Sequence, residues 1–90
     1  MPTISTFFGI MIRMYYNDHQ PPHFHAEYGA DEAIYEIATL NVLRGRLPRR
    51  AHALVVEWAS LHRNELWSNW EQARQQVPLM KIAPLDELEG

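Results

Sequence analysis

The sequence predicts an α+β domain, in which a small antiparallel sheet of three to four strands precedes one long kinked helix or two consecutive helices packed on it. The first half of the chain has apolar residues at alternate positions, and the second half has them three or four positions apart. With 90 residues and 47% hydrophobic content, the chain can bury one compact core. Residues 1–90 are therefore predicted to form a single domain.

The first apolar run, residues 7–16, predicts one extended strand. Its apolar side chains fall on both faces, which is typical of a central strand covered on two sides. Asn17 and Asp18 and then the proline pair Pro21–Pro22 indicate a loop, because proline disfavours regular structure at its own position and at the preceding one. A second strand is predicted at residues 23–28.

A tight turn at residues 29–31 then leads into a third predicted strand, residues 32–38. The alternation weakens after that strand. A fourth and weaker strand is predicted at residues 41–47, with Gly45 interrupting it.

The period changes at Pro48, a residue suited to the first turn of a helix. An amphipathic stripe follows, made of Ala51, Leu54, Val55, Trp58, Leu61, Leu66, Trp70, Ala73 and Val77. Its phase drifts at residues 62–64, so one kinked helix and two helices both fit. Pro78 ends the helical pattern, and residues 79–85 are predicted to return to the sheet edge or to lie against the helix.

Composition excludes several classes of protein. The chain has no cysteine, so disulfides and thiolate metal sites are impossible and any metal must bind His, Asp or Glu. Neither a signal peptide nor an apolar run long enough to span a membrane is evident, and a cytoplasmic location is predicted. The net charge of -3 argues against indiscriminate nucleic-acid binding.

The strongest chemical signal lies in residues 18–25, which hold three of the five histidines, a carboxylate and the proline pair. If His23 and His25 lie on a strand, alternation turns both imidazoles to the same face. A hairpin would bring them back towards Asp18 and His19. These four residues are the predicted metal ligands, for Zn, Mn, Ni or Fe.

Two alternatives to a metal site stay open for this cluster. Imidazoles exchange protons near neutral pH, so His23 and His25 are also predicted as catalytic acid and base residues, with Arg49 stabilising negative charge. In the other alternative the prolines fix a structured loop, and Asp18 and the histidines make ordinary polar contacts.

A second signal is a cluster of arginines that runs into the predicted helix start. Free backbone N–H groups there attract anions, and guanidinium groups bind phosphate or carboxylate in a bidentate manner. The predicted anion-binding residues are Arg44, Arg46, Arg49 and Arg50. Alternatively, these side chains are solvated or paired with the chain's own acids, such as Glu57 or the C-terminal Asp86, Glu87 and Glu89.

Among the remaining aromatic and histidine residues, Trp58 is predicted to be core and Trp67 to be exposed at a protein interface. His52 is predicted to lie on the surface. His62 is predicted to be a polar residue of a helix face, with a role only if the helix crosses the sheet near His23 and His25.

Four segments of the chain carry a resemblance to a known family: FFGIMIRMYYNDHQPPHFHAEYG at 7–29, LRGRLPRR at 43–50, EWASLHRNELWSNW at 57–70 and PLMKIAPL at 78–85. The family that the chain resembles is a small bacterial one, domain of unknown function 4160. Its most distinctive motif is DHxPPHFH, here Asp18 to His25. The positions that carry the resemblance are Asp18, His19, Pro21, Pro22, His23, His25, Gly45, Leu47, Pro48, Arg49, Trp58 and His62. Members resemble toxin–antitoxin components in size and often accompany a second small protein in gene pairs, which implies a partner.

Three functions follow from these signals. In the first, the chain is a component of a toxin–antitoxin-like pair that acts on RNA or binds a small cognate protein. In the second, it is a metal-binding domain or metalloenzyme with a divalent ion on His19, His23 and His25, and Asp18 as a further ligand. In the third, it is a non-catalytic module that holds a partner protein through its helix face.

Overall fold

The computed structural model describes residues 2–85, which form a five-stranded antiparallel sheet followed by two helices. The elements are β1 (Thr3–Phe7), β2 (Ile10–Arg13), β3 (His23–Tyr28), β4 (Asp31–Glu36), β5 (Val42–Gly45), α1 (Arg49–Leu61) and α2 (Arg63–Arg74). Each strand pairs with the next one in the chain, so the sheet is a meander. The predicted α+β class is confirmed, with five strands in place of three to four.

The additional strand comes from a hairpin inside the first apolar run, so the prediction of one strand at 7–16 was wrong. Phe8 and Gly9 have φ angles of 50° and 78°, and Phe7 pairs directly with Ile10. A two-residue turn with two positive φ angles matches the twist of antiparallel strands. Glycine inside an apolar run was the available signal for this turn.

Strand β2 is also covered more on one face than on the other. Ile10 and Ile12 are fully buried, whereas Met11 and Arg13 on the opposite face are only partly buried. The expectation of a strand buried on both faces was therefore wrong. In contrast, β3 has the predicted bounds, and Gly29 with a φ of 60° forms the predicted turn, which leaves Tyr28 paired with Asp31.

The main core lies between one face of the sheet and α1. The indole of Trp58 on α1 lies 5.3 Å from the ring of Phe7 and 6.0 Å from that of Phe24, and Phe24 stacks on Tyr35 at 5.4 Å. All four side chains are fully buried. Each such burial contributes about 1.5–3 kcal/mol, so these rings fix α1 on this face.

The helical half divides at His62, whose φ of -123° separates α1 from α2. This confirms the alternative of two consecutive helices. On α2, Asn69 is buried, whereas Leu61 at the end of α1 is 67% exposed. The prediction that Leu61 belongs to the core was wrong, because Leu61 lies on the edge of the buried face of α1, seven residues after the partly buried Leu54.

The segment after α2 lies in the angle between the first strand and the helices. The Ile82 N–H donates to the Ile4 carbonyl at 2.8 Å, and the Trp58 indole N–H donates to the Ala83 carbonyl at 2.9 Å. Residues 79–85 therefore contact both the sheet edge and α1. The acidic residues Asp86, Glu87 and Glu89 lie outside the described residues. Between residues 2 and 85, neither helix has the length and apolar character needed to cross a membrane.

Candidate functional site

Alternation along β3 places its two histidines on the face of the sheet away from α1. Phe24 points into the core between them, so His23 and His25 project to the opposite face. Asp18 lies on the loop before β3. This loop is attached to α2, because the Asn17 N–H donates to the Ala73 carbonyl at 3.4 Å.

One oxygen of Asp18 lies between the two imidazoles. Asp18 Oδ2 is 2.9 Å from His23 Nε2 and 3.2 Å from His25 Nε2, and one ligand atom from each of the three residues lies within 4.8 Å of the others. The side chains are 18%, 8% and 12% exposed respectively, so the cluster is sheltered but open to solvent on one side. We refer to Asp18, His23 and His25 as the Asp–His cluster.

His19, the fourth predicted ligand, is not part of this group. Its side chain is exposed, and its contribution comes from the backbone, whose N–H donates to Asp18 Oδ1 at 2.8 Å. One Asp18 oxygen is thus held by the loop and the other faces the histidines.

A second set of hydrogen bonds orients both rings. The His23 Nδ1–H donates to the Pro21 carbonyl at 2.7 Å, and the His25 Nδ1–H donates to Glu32 Oε2 at 3.1 Å. Because a carbonyl and a carboxylate oxygen only accept, each Nδ1 carries a proton. Both Nε2 atoms are therefore the ones presented to Asp18. Glu32 was not predicted; its position diagonal to His25 across β3 and β4 follows only from the strand register.

Asp18 is charged at neutral pH. Burial is the largest influence and acts to raise its pKa, but hydrogen bonds from the His19 backbone and from the His25 and His23 rings together outweigh burial. The pKa of Asp18 consequently lies below its ordinary value of 3.8.

Two chemical states satisfy this geometry. In one, each ring is an imidazolium and donates from both nitrogens. In the other, each ring is neutral and its Nε2 lone pair binds a cation shared with Asp18 Oδ2. In the first state the carboxylates of Asp18 and Glu32 offset the repulsion between the two rings, whose centroids are 5.3 Å apart. In the second state the cation takes the place of the two Nε2 protons.

Aromatic side chains form two walls of the site. Tyr15 meets His25 edge-on at 4.5 Å, and the Trp70 ring lies 5.2 Å from that of His23. Burial, followed by the negative charges of Glu27 and Glu32, raises the pKa of Tyr15, so its phenol is neutral. Apolar walls of this kind strengthen electrostatic interactions within the cluster.

The predicted anion-binding arginines lie elsewhere. All four side chains are exposed, and none forms an ion pair with another residue in 2–85. Arg46 and Arg49 line a cavity of about 610 Å³, Arg50 lines a smaller one of about 110 Å³, and Arg44 lines neither. Since α1 packs on the core face, Arg49 lies across the sheet from the histidines. The structure does not bring the predicted trio His23, His25 and Arg49 together.

The larger cavity contains a histidine for which the surface prediction was wrong. His52 is partly buried, and its Nδ1 lies 2.8 Å from the hydroxyl oxygen of the fully buried Tyr35. Burial raises the pKa of Tyr35 to about 12. The signal for this contact was the tyrosine itself, because a buried phenol needs a hydrogen-bond partner.

The other residues singled out in the sequence lie outside both the Asp–His cluster and the larger cavity. Trp58 is core, as predicted, and Trp67 is 38% exposed. The His62 ring contacts Glu65 and lies 5.5 Å from Trp58, at the junction of the helices. It does not approach the Asp–His cluster.

A family model described as "Domain of unknown function (DUF4160)" matches residues 9–71, which is more than half of the chain. The chain belongs to this family. The matched region contains the whole Asp–His cluster, Glu32 and the arginine-lined cavity, but not β1 or residues 79–85. No curated protein and no solved structure matches the chain.

Proposed function

We propose that this chain is a metal-binding domain that holds a divalent transition-metal ion on Asp18, His23 and His25. The observation that carries the proposal is the orientation of the two rings. Both Nδ1 atoms are occupied by oxygen acceptors, and both Nε2 atoms meet the same carboxylate oxygen. Metal-binding histidines have this arrangement in general, because the second hydrogen bond fixes the tautomer and makes the ligand nitrogen more basic.

The spacing of the ligand atoms fits one bound ion. Bonds of about 2.0–2.2 Å from a metal to nitrogen and oxygen place neighbouring ligand atoms about 3 to 3.5 Å apart. The distances from Asp18 Oδ2 to the two Nε2 atoms, 2.9 and 3.2 Å, are close to this range. All three ligand atoms lie within 4.8 Å of one another, so one ion can reach them together.

The ligand set also limits the choice of metal. Two imidazoles and one carboxylate suit Zn, Mn, Fe or Ni, and the lack of thiolates disfavours softer ions. Three protein ligands leave at least one position for water or a substrate oxygen, as in catalytic rather than structural sites. A bound ion would supply a Lewis acid there, while Glu32 and Pro21 hold the rings in place.

Elemental analysis of protein purified without an affinity tag tests the proposal. We expect about one metal ion per chain, as for a single site. His25→Ala removes one ligand and Asp18→Asn removes the negative charge of another, and each should lower the metal content at least about tenfold. His19→Ala is the matched control, because it removes an imidazole from the same loop but not from the cluster, and it should retain the metal.

Metal addition to the stripped protein gives a second measurement. An ion at about 100 times its Kd stabilises the folded state by about 2.7 kcal/mol, which raises the Tm of a domain of this size by about 10 °C or more. The proposal fails if the protein is isolated free of metal and its Tm is unchanged by Zn, Mn, Fe and Ni.

The toxin–antitoxin-like pair stays a prediction, as does a cytoplasmic location. What supports a partner or RNA is the family resemblance, together with four exposed arginines that have no ion pair in residues 2–85. Purification from the native host tests the protein partner, and overexpression with analysis of cellular RNA tests the nuclease version. Recovery of the chain alone, with intact RNA and normal growth, would remove both.

A further inference from the structure

We infer that the arginine-lined cavity is a second binding site, specific for a nucleoside phosphate. The cavity has a volume of about 610 Å³ and is lined by Asp31, Val42, Arg46, Leu47, Pro48, Arg49 and His52. It lies at the start of α1, across the sheet from the Asp–His cluster. The inference is therefore independent of the proposed metal site.

Two of the lining side chains supply positive charge. Arg46 and Arg49 are exposed and form no ion pair with another residue between 2 and 85. Helix α1 begins without a side-chain cap and without an acid in its first turn, so its free N–H groups add to this positive potential. Cations at this end of a helix repel the helix dipole, and a bound anion offsets that repulsion.

His52 adds an oriented hydrogen-bond donor. Its Nδ1 lies 2.8 Å from the Tyr35 hydroxyl, which has no other hydrogen-bond partner in the described part of the chain. If Nδ1–H donated to this hydroxyl, the buried hydroxyl proton would lack an acceptor. The hydroxyl therefore donates to Nδ1, and Nε2 carries the proton of the neutral ring.

The position of Arg46 is fixed by the backbone. Its N–H donates to the Glu32 carbonyl at 3.0 Å, and a Cβ on the preceding Gly45 would lie 2.2 Å from that same oxygen. Glycine thus permits the close approach of β5 to β4 that sets the cavity wall.

The rest of the lining indicates more than a bare phosphate. Val42, Leu47 and Pro48 form an apolar wall, and Asp31 provides an acceptor that repels a second anion. A nucleoside has the matching parts, since its base can pack on the apolar wall and its ribose hydroxyls can donate to a carboxylate. The volume falls within the range of about 300–1,000 Å³ that is usual for small-molecule sites.

The test is isothermal titration of protein stripped of metal with inorganic phosphate, with a nucleoside 5′-monophosphate and with the nucleoside alone. We expect the monophosphate to bind most tightly. Arg46→Gln and Arg49→Gln should each weaken its binding about tenfold or more, because a charged hydrogen bond to phosphate is lost. Asp31→Asn should weaken binding of the monophosphate but strengthen binding of inorganic phosphate.

The matched control is the pair Arg44→Gln and Arg50→Gln, which removes the same charge from the same cluster outside this cavity. Affinity should change less than about threefold in these variants. An equal loss in both pairs, or no binding at millimolar monophosphate, would overturn the inference. Equal affinity for phosphate and monophosphate would also overturn it.

A further titration, with a short single-stranded RNA that has no terminal phosphate, distinguishes a free nucleotide from an RNA backbone as the ligand. Preference for the free monophosphate supports the inference, whereas binding of the RNA alone assigns the cavity to an RNA backbone and overturns it. Repeating the titration with Asp18→Asn separates this result from the metal proposal, since that variant leaves every residue of the cavity lining unchanged.

Discussion

Gly45 shows how one residue can be fixed by backbone geometry. Its φ is +73°, and a Cβ would meet the Glu32 carbonyl oxygen at 2.2 Å. Side chains other than glycine disfavour this backbone region by about 1–2 kcal/mol, and a contact this short forces the strands apart as well. The position therefore requires glycine on two counts.

We predict that Gly45→Ala lowers the free energy of unfolding by at least about 3 kcal/mol, measured by urea denaturation. Gly29→Ala is the matched control. Gly29 also has a positive φ of +60°, but nothing lies within 4 Å of its added Cβ. Gly29→Ala should lower the free energy of unfolding by only about 1 kcal/mol. Equal losses in the two variants would contradict the role of the close approach at Gly45.

Tyr35 gives a prediction about pH. Burial raises its pKa from 10.0 to about 12, so the phenol ionises more readily in the unfolded chain than in the folded one. The stability that depends on the neutral phenol is fully present below about pH 10 and is lost as the pH rises from about 10 to about 12.

Tyr35→Phe removes this dependence. We expect the difference in unfolding free energy between the natural protein and the variant to shrink between about pH 9 and about pH 11.5. Urea denaturation at both values measures it. A difference that stays constant would show that Tyr35 ionises alike in both states.

At the scale of elements, the described C-terminal segment is held by an amide on α2. The Asn69 side chain is 2% exposed; its Nδ2 donates to the Met80 carbonyl at 2.8 Å and its Oδ1 accepts the Met80 N–H at 3.1 Å. An asparagine at a core position of a helix interrupts the apolar stripe. Here its amide makes the two hydrogen bonds to the Met80 backbone that a neighbouring strand would otherwise make.

Asn69→Ala should therefore cost about 1–3 kcal/mol, because two hydrogen bonds of about 0.5–1.5 kcal/mol each are lost. Hydrogen exchange at the Ile82 N–H, which donates to Ile4, should accelerate more than exchange in β3. Asn64→Ala, at an exposed position of the same helix, should change neither quantity. Unchanged exchange at Ile82 in Asn69→Ala would contradict this role.

The elements that could be predicted were those with a clear period and clear breaks. The bounds of β3 follow from alternation, and the phase drift at 62–64 marks the point where α1 ends, whether by a kink or by a division. The β1–β2 hairpin was missed because apolar residues on both sides of Gly9 concealed the turn. Leu61 was assigned wrongly because spacing alone did not show that it lies at the edge of the buried face, on the last residue of α1.

For the whole molecule, the sequence predicted the chemistry of the loop better than its arrangement in space. Alternate strand positions placed His23 and His25 on one face, and local sequence placed Asp18 beside them. Which sheet face each cluster occupies depends on where the helices pack, and Glu32 and His52 depend on contacts between distant elements. Contacts between elements that are distant in the sequence cannot be predicted from a local pattern of residues.

Glu32 has a hydrogen bond to the Asp–His cluster through its side chain and one to Arg46, which lines the larger cavity, through its backbone. Its carboxylate accepts the Nδ1–H of His25 at 3.1 Å, and its carbonyl accepts the Arg46 N–H at 3.0 Å. Thermodynamic linkage is reciprocal, so two ligands that both displaced this β4 residue would change each other's affinity by the same factor.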